Sequence, residues 1–399
     1  MRPFGTVGRD LPGRPITKRL SLGLRDIRQP RACARLRTHE EKAAVTQSVE
    51  FSEPYDVVVA GAGPAGGSAA YVAADRGLRT LLLERRGPPR DKTCGGLVTN
   101  LCVDFVQKIF GRTVPSEIQI PPSPMPVFVA PPSGRSAGFL VPHEYVLNVT
   151  RRGFDGWLAR CAEERGADLW RDAEAIRFLP KGDRLVVSVA TRDGRTDIET
   201  RYLVGADGIH SRIRDQIDPR PFAQRAYYIQ EYCPRTGDFE DWFYLMYRGD
   251  TSPIYSYVIP KEDLLCLGIG IHKSVAPTYE VGMQRFKGWL AEEFGFRDLG
   301  PRRKEGYPVP LGGIHMGKDR VLLAGDAAGF CYPPTGEGIT FAVQSGAAAA
   351  ASVAQGRDIG SRYAAEMSKV AAWIEAAASR TLHLTDAERE ARIRMKAGL

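Results

Sequence analysis

The sequence lacks the features of membrane-spanning, metal-binding and disulfide-bonded proteins. It has no run of eighteen apolar residues, so we expect no helix that crosses a bilayer. The seven cysteines form no CxxC pair and the six histidines no HxxxH or HExxH motif, so we predict no metal site. An odd number of cysteines spread through 399 residues favours a reducing compartment. We therefore predict a cytoplasmic protein, with peripheral membrane contact left open.

Excess charge is missing from most of the chain. The formal net charge is +8, but residues 1–39 hold ten Arg or Lys against Asp10 and Asp26, which accounts for all of it. The remaining sequence is neutral, so we do not predict nucleic acid as a partner. The basic extension over residues 1–53 has no apolar signal-peptide segment. Three interpretations stay open: a disordered arm that contacts anionic lipid or another polyanion, a transit-like segment, or upstream sequence wrongly included in the reading frame.

A dinucleotide-binding βαβ pattern follows this extension. A buried strand is predicted over residues 57–60 and leads into Gly61-Ala62-Gly63-Pro64-Ala65-Gly66, which opens a helix. Gly61 permits the tight turn, Gly63 lets backbone N–H groups approach a pyrophosphate, and Gly66 allows the helix to pack on its strand. A second strand ends at Glu84, where a carboxylate can accept a hydrogen bond from a ribose hydroxyl.

Two further loops combine glycine with an acidic residue after a predicted strand. The first of these loops contains Asp207 and Gly208, at the carboxyl end of its strand, where ligands of open α/β sheets bind. Gly325 and Asp326 end the second, and Asp326 can accept a hydroxyl of a ribityl chain. A helix then begins at Gly338 and runs to about residue 353. Its N-terminal amides would stabilise negative charge on a bound group.

The chain between the Asp207 and Gly325 loops has a different sequence pattern. Short aromatic strands are predicted over residues 227–232, 242–247, 255–260 and 264–271, and they indicate an antiparallel sheet with one apolar face. From pattern alone, Phe243, Tyr255 and Tyr257 fill a core rather than line a ligand cavity. Earlier in the chain, a helix is predicted from Thr150 to about Arg165, followed by a three-stranded meander.

The three glycine-and-acid loops, in this order, resemble the signature of FAD-dependent oxidoreductases of the para-hydroxybenzoate hydroxylase type. Within that superfamily the chain resembles the geranylgeranyl reductases, on the stretches 92–97, 142–145, 255–261, 268–270 and 334–339. The resemblance covers residues 54–355. It departs over 255–261, where the family's Tyr-x-Trp-x-Phe-Pro-Lys reads Tyr-Ser-Tyr-Val-Ile-Pro-Lys, so a different substrate pocket is expected.

The resemblance implies FAD as the cofactor and an apolar pocket beside it. Cys94 would lie next to the flavin ring, where its thiol either supplies a proton, which makes it the catalytic candidate, or only packs. The substrate pocket is expected to include Phe243, Tyr255, Tyr257 and Pro333. The expected cofactor-binding residues are Gly61, Ala62, Gly63, Pro64, Ala65, Gly66, Glu84, Arg85, Cys94, Gly95, Gly96, Arg151, Asp207, Gly208, Gly325, Asp326, Gly336, Glu337, Gly338 and Ile339.

The predicted fold class is α/β (α+β). It comprises a Rossmann-like FAD-binding domain with a three-stranded crossover, an inserted antiparallel β-sheet substrate domain and C-terminal helices. The FAD-binding domain is assigned to residues 54–110, 145–224 and 309–355. The substrate domain is assigned to 111–144 and 225–308, and the C-terminal helices to 356–399.

The resemblance implies a reductase of isolated carbon–carbon double bonds in an isoprenoid chain carried by a lipid, quinone or pigment. NADPH or a reduced electron-carrier protein would supply the electrons. An isoprenoid or another hydrophobic small molecule is the expected partner. A flavin-dependent monooxygenase or halogenase acting on an aromatic or polyketide compound is the alternative, because such enzymes share the FAD motifs.

Overall fold

The strands coincide with the apolar and alternating stretches of the sequence. The computed structural model describes residues 53–397 except 88, 221 and 223, and only the backbone of 396 and 397. Residues 1–52 of the basic extension predicted over 1–53 lie outside the described residues. Within the described chain the strands are β1 (Tyr55–Ala60), β2 (Thr80–Glu84), β3 (Leu97–Thr99), β4 (Met125–Ala130), β5 (Phe139–Asn148), β6 (Asp168–Arg171), β7 (Glu174–Lys181), β8 (Arg184–Thr191), β9 (Gly194–Gly205), β10 (Arg225–Pro234), β11 (Phe243–Met246), β12 (Ser256–Lys261), β13 (Leu264–Ile271), β14 (Arg303–Pro310), β15 (Gly317–Lys318) and β16 (Val321–Leu323).

The helices begin where a cap or a proline follows a strand or loop. Thr99 and Thr150 cap the second and third helices, each accepting a hydrogen bond from the backbone N–H three residues ahead. Pro64 occupies the first turn of the first helix. The helices are α1 (Pro64–Asp75), α2 (Asn100–Phe110), α3 (Arg151–Glu164), α4 (Arg212–Ile217), α5 (Tyr279–Phe294), α6 (Ile339–Val353), α7 (Ile359–Thr381) and α8 (Asp386–Ala397). None in the described range is long and apolar enough to cross a membrane.

The first sheet has the parallel centre of a dinucleotide-binding fold. Its main order is β15-β16-β9-β1-β2-β6, with β1 parallel to both β2 and β9. Strands β7, β8 and β9 form the antiparallel meander that the sequence predicted in place of a crossover helix. The parallel strands β1, β2, β9 and β16 all end at one edge, which brings residues Glu84, Asp207 and Gly325 to the same side of the sheet.

The second sheet carries the apolar face that the sequence predicted. It has eight strands in the order β14-β10-β13-β12-β11-β4-β5-β3. Two features differ from the expectation. Strands β4 and β11 pair in parallel within an otherwise antiparallel sheet, and helix α5 follows β13 and covers one face through residues such as Phe286 and Trp289. Strand β3, within a segment assigned to the FAD-binding domain, also pairs here with β5. The domain boundaries themselves stay a prediction.

Close backbone contact between α1 and α6 holds the nucleotide loop in place. A Cβ atom added to Gly346 of α6 would lie 2.0 Å from the Ala65 carbonyl oxygen, which no side chain movement can relieve. Neighbouring residues at this contact are small as well, including Ala69 and Ala349. The two helices therefore meet backbone against backbone, and α6 fixes the start of α1.

We expect Gly346→Ala to lower the free energy of unfolding by about 2 kcal/mol or more, because the new methyl group must force α1 and α6 apart. Urea denaturation of the flavin-loaded protein measures this. Gly288→Ala is the matched control, since nothing lies within 4 Å of the added Cβ in the interior of α5. It should be neutral or stabilising by roughly 0.5–1 kcal/mol. Equal stability of the two variants would contradict the close contact.

Candidate functional site

The Gly61–Gly66 loop has the geometry that each glycine was expected to supply. Gly61 has φ +98° and its Cβ would lie 2.6 Å from the Ala206 carbonyl oxygen, so β1 and β9 approach too closely for a side chain. A Cβ on Gly66 would lie 1.7 Å from the Gly61 oxygen, as expected where the helix packs on its strand. At Gly63, the Arg90 guanidinium is the one described group within 4 Å of the added atom, outside the neighbouring residues of the loop. The loop therefore leaves an open cradle beside the N-terminus of α1.

A cluster of alternating charges borders this cradle. The buried Glu84 carboxylate accepts a hydrogen bond from the Ala62 N–H at 3.0 Å and an ion pair from Arg90 at 3.1 Å. Arg90 also contacts Asp155 at 3.1 Å, and Asp155 holds Arg151 through two 2.8 Å hydrogen bonds. Glu84 and Arg151 were expected from the sequence, whereas Arg90 and Asp155 were not. The i,i+4 spacing of Arg151 and Asp155 on α3 was the available signal.

The Cys94-Gly95-Gly96 segment lies against the second sheet. A Cβ on Gly96 would lie 2.0 Å from the Val149 oxygen, so a side chain is excluded there. The half-buried Cys94 Sγ accepts a hydrogen bond from the Gly96 N–H at 3.4 Å. The Arg151 guanidinium also interacts electrostatically with the thiol. Burial alone lowers the pKa of Arg151, but the Asp155 and Cys94 groups raise it above its usual value.

Lys261 supports this segment from the end of β12. Its ammonium donates to the Gly95 carbonyl oxygen at 2.9 Å and to Asn148 Oδ1. Asn148 in turn donates to the Pro260 oxygen at 2.9 Å. Burial lowers the pKa of Lys261 to about 8. The sequence placed Lys261 in a family motif but gave it no role, and Asn148 carried no signal at all.

Asp207 caps a helix. Its carboxylate accepts hydrogen bonds from Ser211 Oγ at 2.5 Å and from the Arg212 N–H at 2.9 Å, at the start of α4. Burial raises its pKa. Asp207 and Gly208 still line the cavity described below. The carboxylate thus holds the Asp207–Gly208 loop against the start of α4. The backbone of Asp207 is therefore the part that can contact a ligand.

The third loop joins the end of β16 to α6. The Gly325 N–H donates to Ser345 Oγ at 2.9 Å, and Lys92 lies 3.4 Å from the Asp326 carboxylate. Glu337 accepts hydrogen bonds from Thr99 at 2.9 Å and from Thr340 at 2.5 Å. These contacts connect the start of α6 to the end of β3. The loop therefore lies between the two sheets.

All three loops open into one cavity of about 1540 Å³. Eighteen of the twenty expected cofactor-binding residues line it; Ala62 and Gly66 do not, because the former faces Glu84 and the latter packs on β1. Phe243, Tyr255 and Tyr257 also line the cavity, although pattern alone favoured a core position. Pro333 is buried and is not among the residues that line the cavity, whereas its neighbour Pro334 is. The place of Pro333 in the substrate pocket stays a prediction.

Four tyrosines form the apolar wall of the cavity. Tyr255 lies at the centre, with ring centroids 5.5 Å from Tyr228, 5.7 Å from Tyr257 and 6.0 Å from Tyr247. The Tyr255 hydroxyl donates to the Thr335 oxygen at 2.5 Å, and that of Tyr257 to Gln230 at 2.8 Å. Burial raises the pKa of Tyr228, Tyr255 and Tyr257 well above the usual value, so these phenols stay neutral.

The residues present fit FAD. The open cradle at Gly63 matches a pyrophosphate, because it combines free space with a helix N-terminus and the Arg90 cation. Glu84 and Asp326 provide carboxylates at the cavity wall for ribose and ribityl hydroxyls. Residues 94–96 and 336–338 line the cavity, and their glycines present backbone without side chains to a planar ring.

Comparison with known proteins agrees with this assignment. An FAD binding domain family matches residues 54–232. The geranylgeranyl diphosphate reductase of Rhodobacter capsulatus is 31% identical over 74% of this chain and 74% of its own length. The chloroplastic enzyme of that name from Nicotiana tabacum is 31% identical over 77% of this chain and 67% of its own. A menaquinone reductase from Mycobacterium tuberculosis is 28% identical over 74% of this chain and 75% of its own.

Solved structures confirm the fold class. A geranylgeranyl bacteriochlorophyll reductase-like protein from Thermoplasma acidophilum superposes with a TM-score of 0.72 at 20% identity, covering 87% of this chain and 92% of its own. A flavin-dependent halogenase reaches a TM-score of 0.64 at 19% identity, covering 87% and 70%. At these identities both show the shared fold alone. The sequence relatives at 31% identity establish that this chain belongs to the geranylgeranyl reductase family of FAD-dependent oxidoreductases.

Proposed function

We propose that this protein reduces isolated carbon–carbon double bonds in an isoprenoid chain. The observation that carries the proposal is the single cavity shared by the FAD loops and an apolar wall that includes Phe243, Tyr255 and Tyr257. An unactivated alkene has no polar group with which the protein can form hydrogen bonds. The apolar wall must therefore position it by shape complementarity and by excluding water. Reduced FAD supplies the hydride for such a reduction.

The apolar wall suits a chain of repeated methyl-branched units. Val127, Val129 and Leu245 from β4 and β11 line it together with the aromatic residues, and all of them are buried. These side chains carry no hydrogen-bonding groups. The buried hydroxyls of Tyr255 and Tyr257 already form hydrogen bonds to Thr335 and Gln230. They therefore have less capacity to hold water molecules in the cavity.

Cys94 is the proposed proton donor. The second alkene carbon must receive a proton, and the half-buried Cys94 thiol lines the cavity on the segment that Lys261 holds. Proton transfer leaves a thiolate, which the adjacent Arg151 guanidinium stabilises. Solvent then returns the proton. Asp155, bonded to Arg151 through both oxygens, keeps that guanidinium in place.

The reaction also needs a source of electrons and a route by which the substrate enters the cavity. NADPH or a reduced electron-carrier protein reduces the flavin. The substrate reaches the cavity by peripheral contact with a membrane, since isoprenoid lipids, quinones and pigments reside there. In support, Leu101 and Trp373 line the cavity and are each 48% exposed.

Anaerobic turnover tests the proposed reaction. Protein reduced with dithionite under argon should add hydrogen pairs to geranylgeranyl diphosphate or to a geranylgeranyl lipid, detected as mass increases of two hydrogens per bond. Boiled protein is the control for adventitious reduction. Products that form only after O₂ is admitted, and that carry oxygen or halogen, would contradict the proposal and favour a monooxygenase or halogenase.

Asp326→Ala should yield protein with little bound FAD and lowered stability. The carboxylate contributes a hydrogen-bond acceptor for the cofactor, and cofactor binding also stabilises the folded domain. Visible flavin absorbance per polypeptide and thermal unfolding with and without added FAD measure both effects. Asp104→Ala removes an exposed carboxylate from α2 and is the matched control. A stable, fully yellow Asp326→Ala protein would show that the ribityl contact lies elsewhere.

Cys94→Ser should keep its FAD but slow alkene reduction at least roughly 100-fold, because a hydroxyl is a far weaker acid than a thiol. Single-turnover rates of reduced enzyme with geranylgeranyl diphosphate measure the step. The flavin content of the same sample is the internal control for folding. A rate equal to that of the unmodified protein would limit Cys94 to a packing role.

A further inference from the structure

The end of the cavity beneath the two C-terminal helices is lined by arginines. Helix α7 presents Trp373, Ala376, Ala377 and Arg380 to it, a set at i, i+3, i+4 and i+7 that shares one helix face. Helix α8 presents Arg389, Arg392 and Ile393 with the same spacing. The arginines Arg380, Arg389 and Arg392 thus converge on the cavity from two helices.

These cations are poorly neutralised. Arg380 and Arg392 are exposed, and neither forms an ion pair within 4.0 Å of a described carboxylate. Arg389 is 4% exposed and donates to the carbonyl oxygens of Ser252 at 3.1 Å and Pro253 at 2.7 Å. Its nearest described carboxylate is that of Asp386, at 3.7 Å.

One donor of this cluster has no partner. The Arg389 Nε is buried and has no hydrogen-bond acceptor among the described residues. Leaving a buried cationic N–H unpaired is unfavourable, and burial lowers the pKa of Arg389 despite the raising effect of Asp386 and Tyr247. Because that atom is closed to solvent, an anion in the cavity would instead meet the exposed side chains of Arg380 and Arg392. Planar guanidinium groups match phosphate oxygens especially well.

A row of rings connects the cluster with the flavin loops. Tyr228 contacts the Gly336 loop, where an added Cβ would meet its ring at 2.7 Å. Tyr255 and Tyr247 follow in centroid steps of 5.5 and 6.0 Å, and Tyr247 interacts electrostatically with Arg389. These phenols are neutral, because burial raises the pKa of Tyr247 to about 12. Glu144 also lines the cavity and interacts electrostatically with Tyr247.

The cations at another part of the cavity are already occupied. Arg302 pairs with Asp263 at 2.8 Å, and the Arg303 guanidinium lies 3.8 Å from the centre of the Tyr232 ring and 3.8 Å from Glu305. An incoming anion there would have to displace these contacts. The α7–α8 end therefore offers the more available positive charge.

We propose that Arg380, Arg389 and Arg392 bind the phosphate or diphosphate end of an isoprenoid substrate. This inference rests on the proposed function and adds to it the direction in which the substrate lies in the cavity. The charged end stays beneath α7 and α8, and the hydrocarbon follows the row Tyr247, Tyr255 and Tyr228 toward the Gly336 loop. An uncharged isoprenoid alcohol gains nothing from the cluster.

The double variant Arg380→Gln/Arg392→Gln tests the site, because it spares Arg389, which anchors α8. At low ionic strength its KM for geranylgeranyl diphosphate should rise at least roughly tenfold, whereas its KM for geranylgeraniol should stay unchanged. Arg362→Gln/Arg394→Gln is the matched control. It removes one exposed charge from each of the same helices, outside the cavity lining, and should behave like the unmodified protein.

A second measurement does not depend on turnover. Isothermal titration of the FAD-loaded protein with inorganic pyrophosphate should show binding to the unmodified protein and to the control variant, and none to Arg380→Gln/Arg392→Gln. Equal changes in KM for both substrates, or pyrophosphate binding that the double variant retains, would overturn the inference. Unmodified protein that binds pyrophosphate through these arginines but reduces neither substrate would leave the anion site standing and refute the proposed reaction.

Discussion

Helix α1 can approach β1 and α6 only because glycine stands at the closest point of each contact, and the cofactor cradle depends on that approach. With Cβ positions 1.7 Å and 2.0 Å from carbonyl oxygens, Gly66 and Gly346 exclude any other residue without backbone movement. The contact sets where the first amides of α1 point, and it also fixes α6. Since α6 begins at the Gly336 loop, one packing constraint positions both the pyrophosphate cradle and the loop that faces the tyrosine row.

Buried charge positions the residues that border the same cradle. Glu84, Arg90, Asp155 and Arg151 alternate in sign, so each buried ion has an opposite charge within hydrogen-bonding distance. Such a cluster contributes little net stability, because desolvation offsets most of the attraction. Its value lies in geometry. It ties the segment after β2 to the start of α3 and presents the Arg151 guanidinium to Cys94.

The parts predictable from the sequence were those with local signals. The Gly61–Gly66 loop, the strand ends and the β7–β9 meander follow from glycine spacing and hydrophobic pattern, which act over short distances. Arg90, Asn148 and Tyr247 could not be assigned, because their roles arise from contacts between distant segments. Lys261 and Asn148 are 113 positions apart yet share a hydrogen bond. The sequence also could not indicate that Pro334 lines the cavity, because residues in a loop have no periodicity to show which one faces inward.

The second sheet explains how one cavity serves a polar cofactor and an apolar chain. The second sheet presents tyrosines on β12 and directly before it, with apolar rings and with hydroxyls bonded within the protein, as in Tyr257 to Gln230 and Tyr255 to Thr335. The same wall can therefore border the glycine loops without carrying charge into the hydrocarbon path. Neutral phenols line the path between the Gly336 loop and the arginines beneath α7 and α8. With its charged end held by those arginines, as we propose, a substrate would place its apolar end along this path.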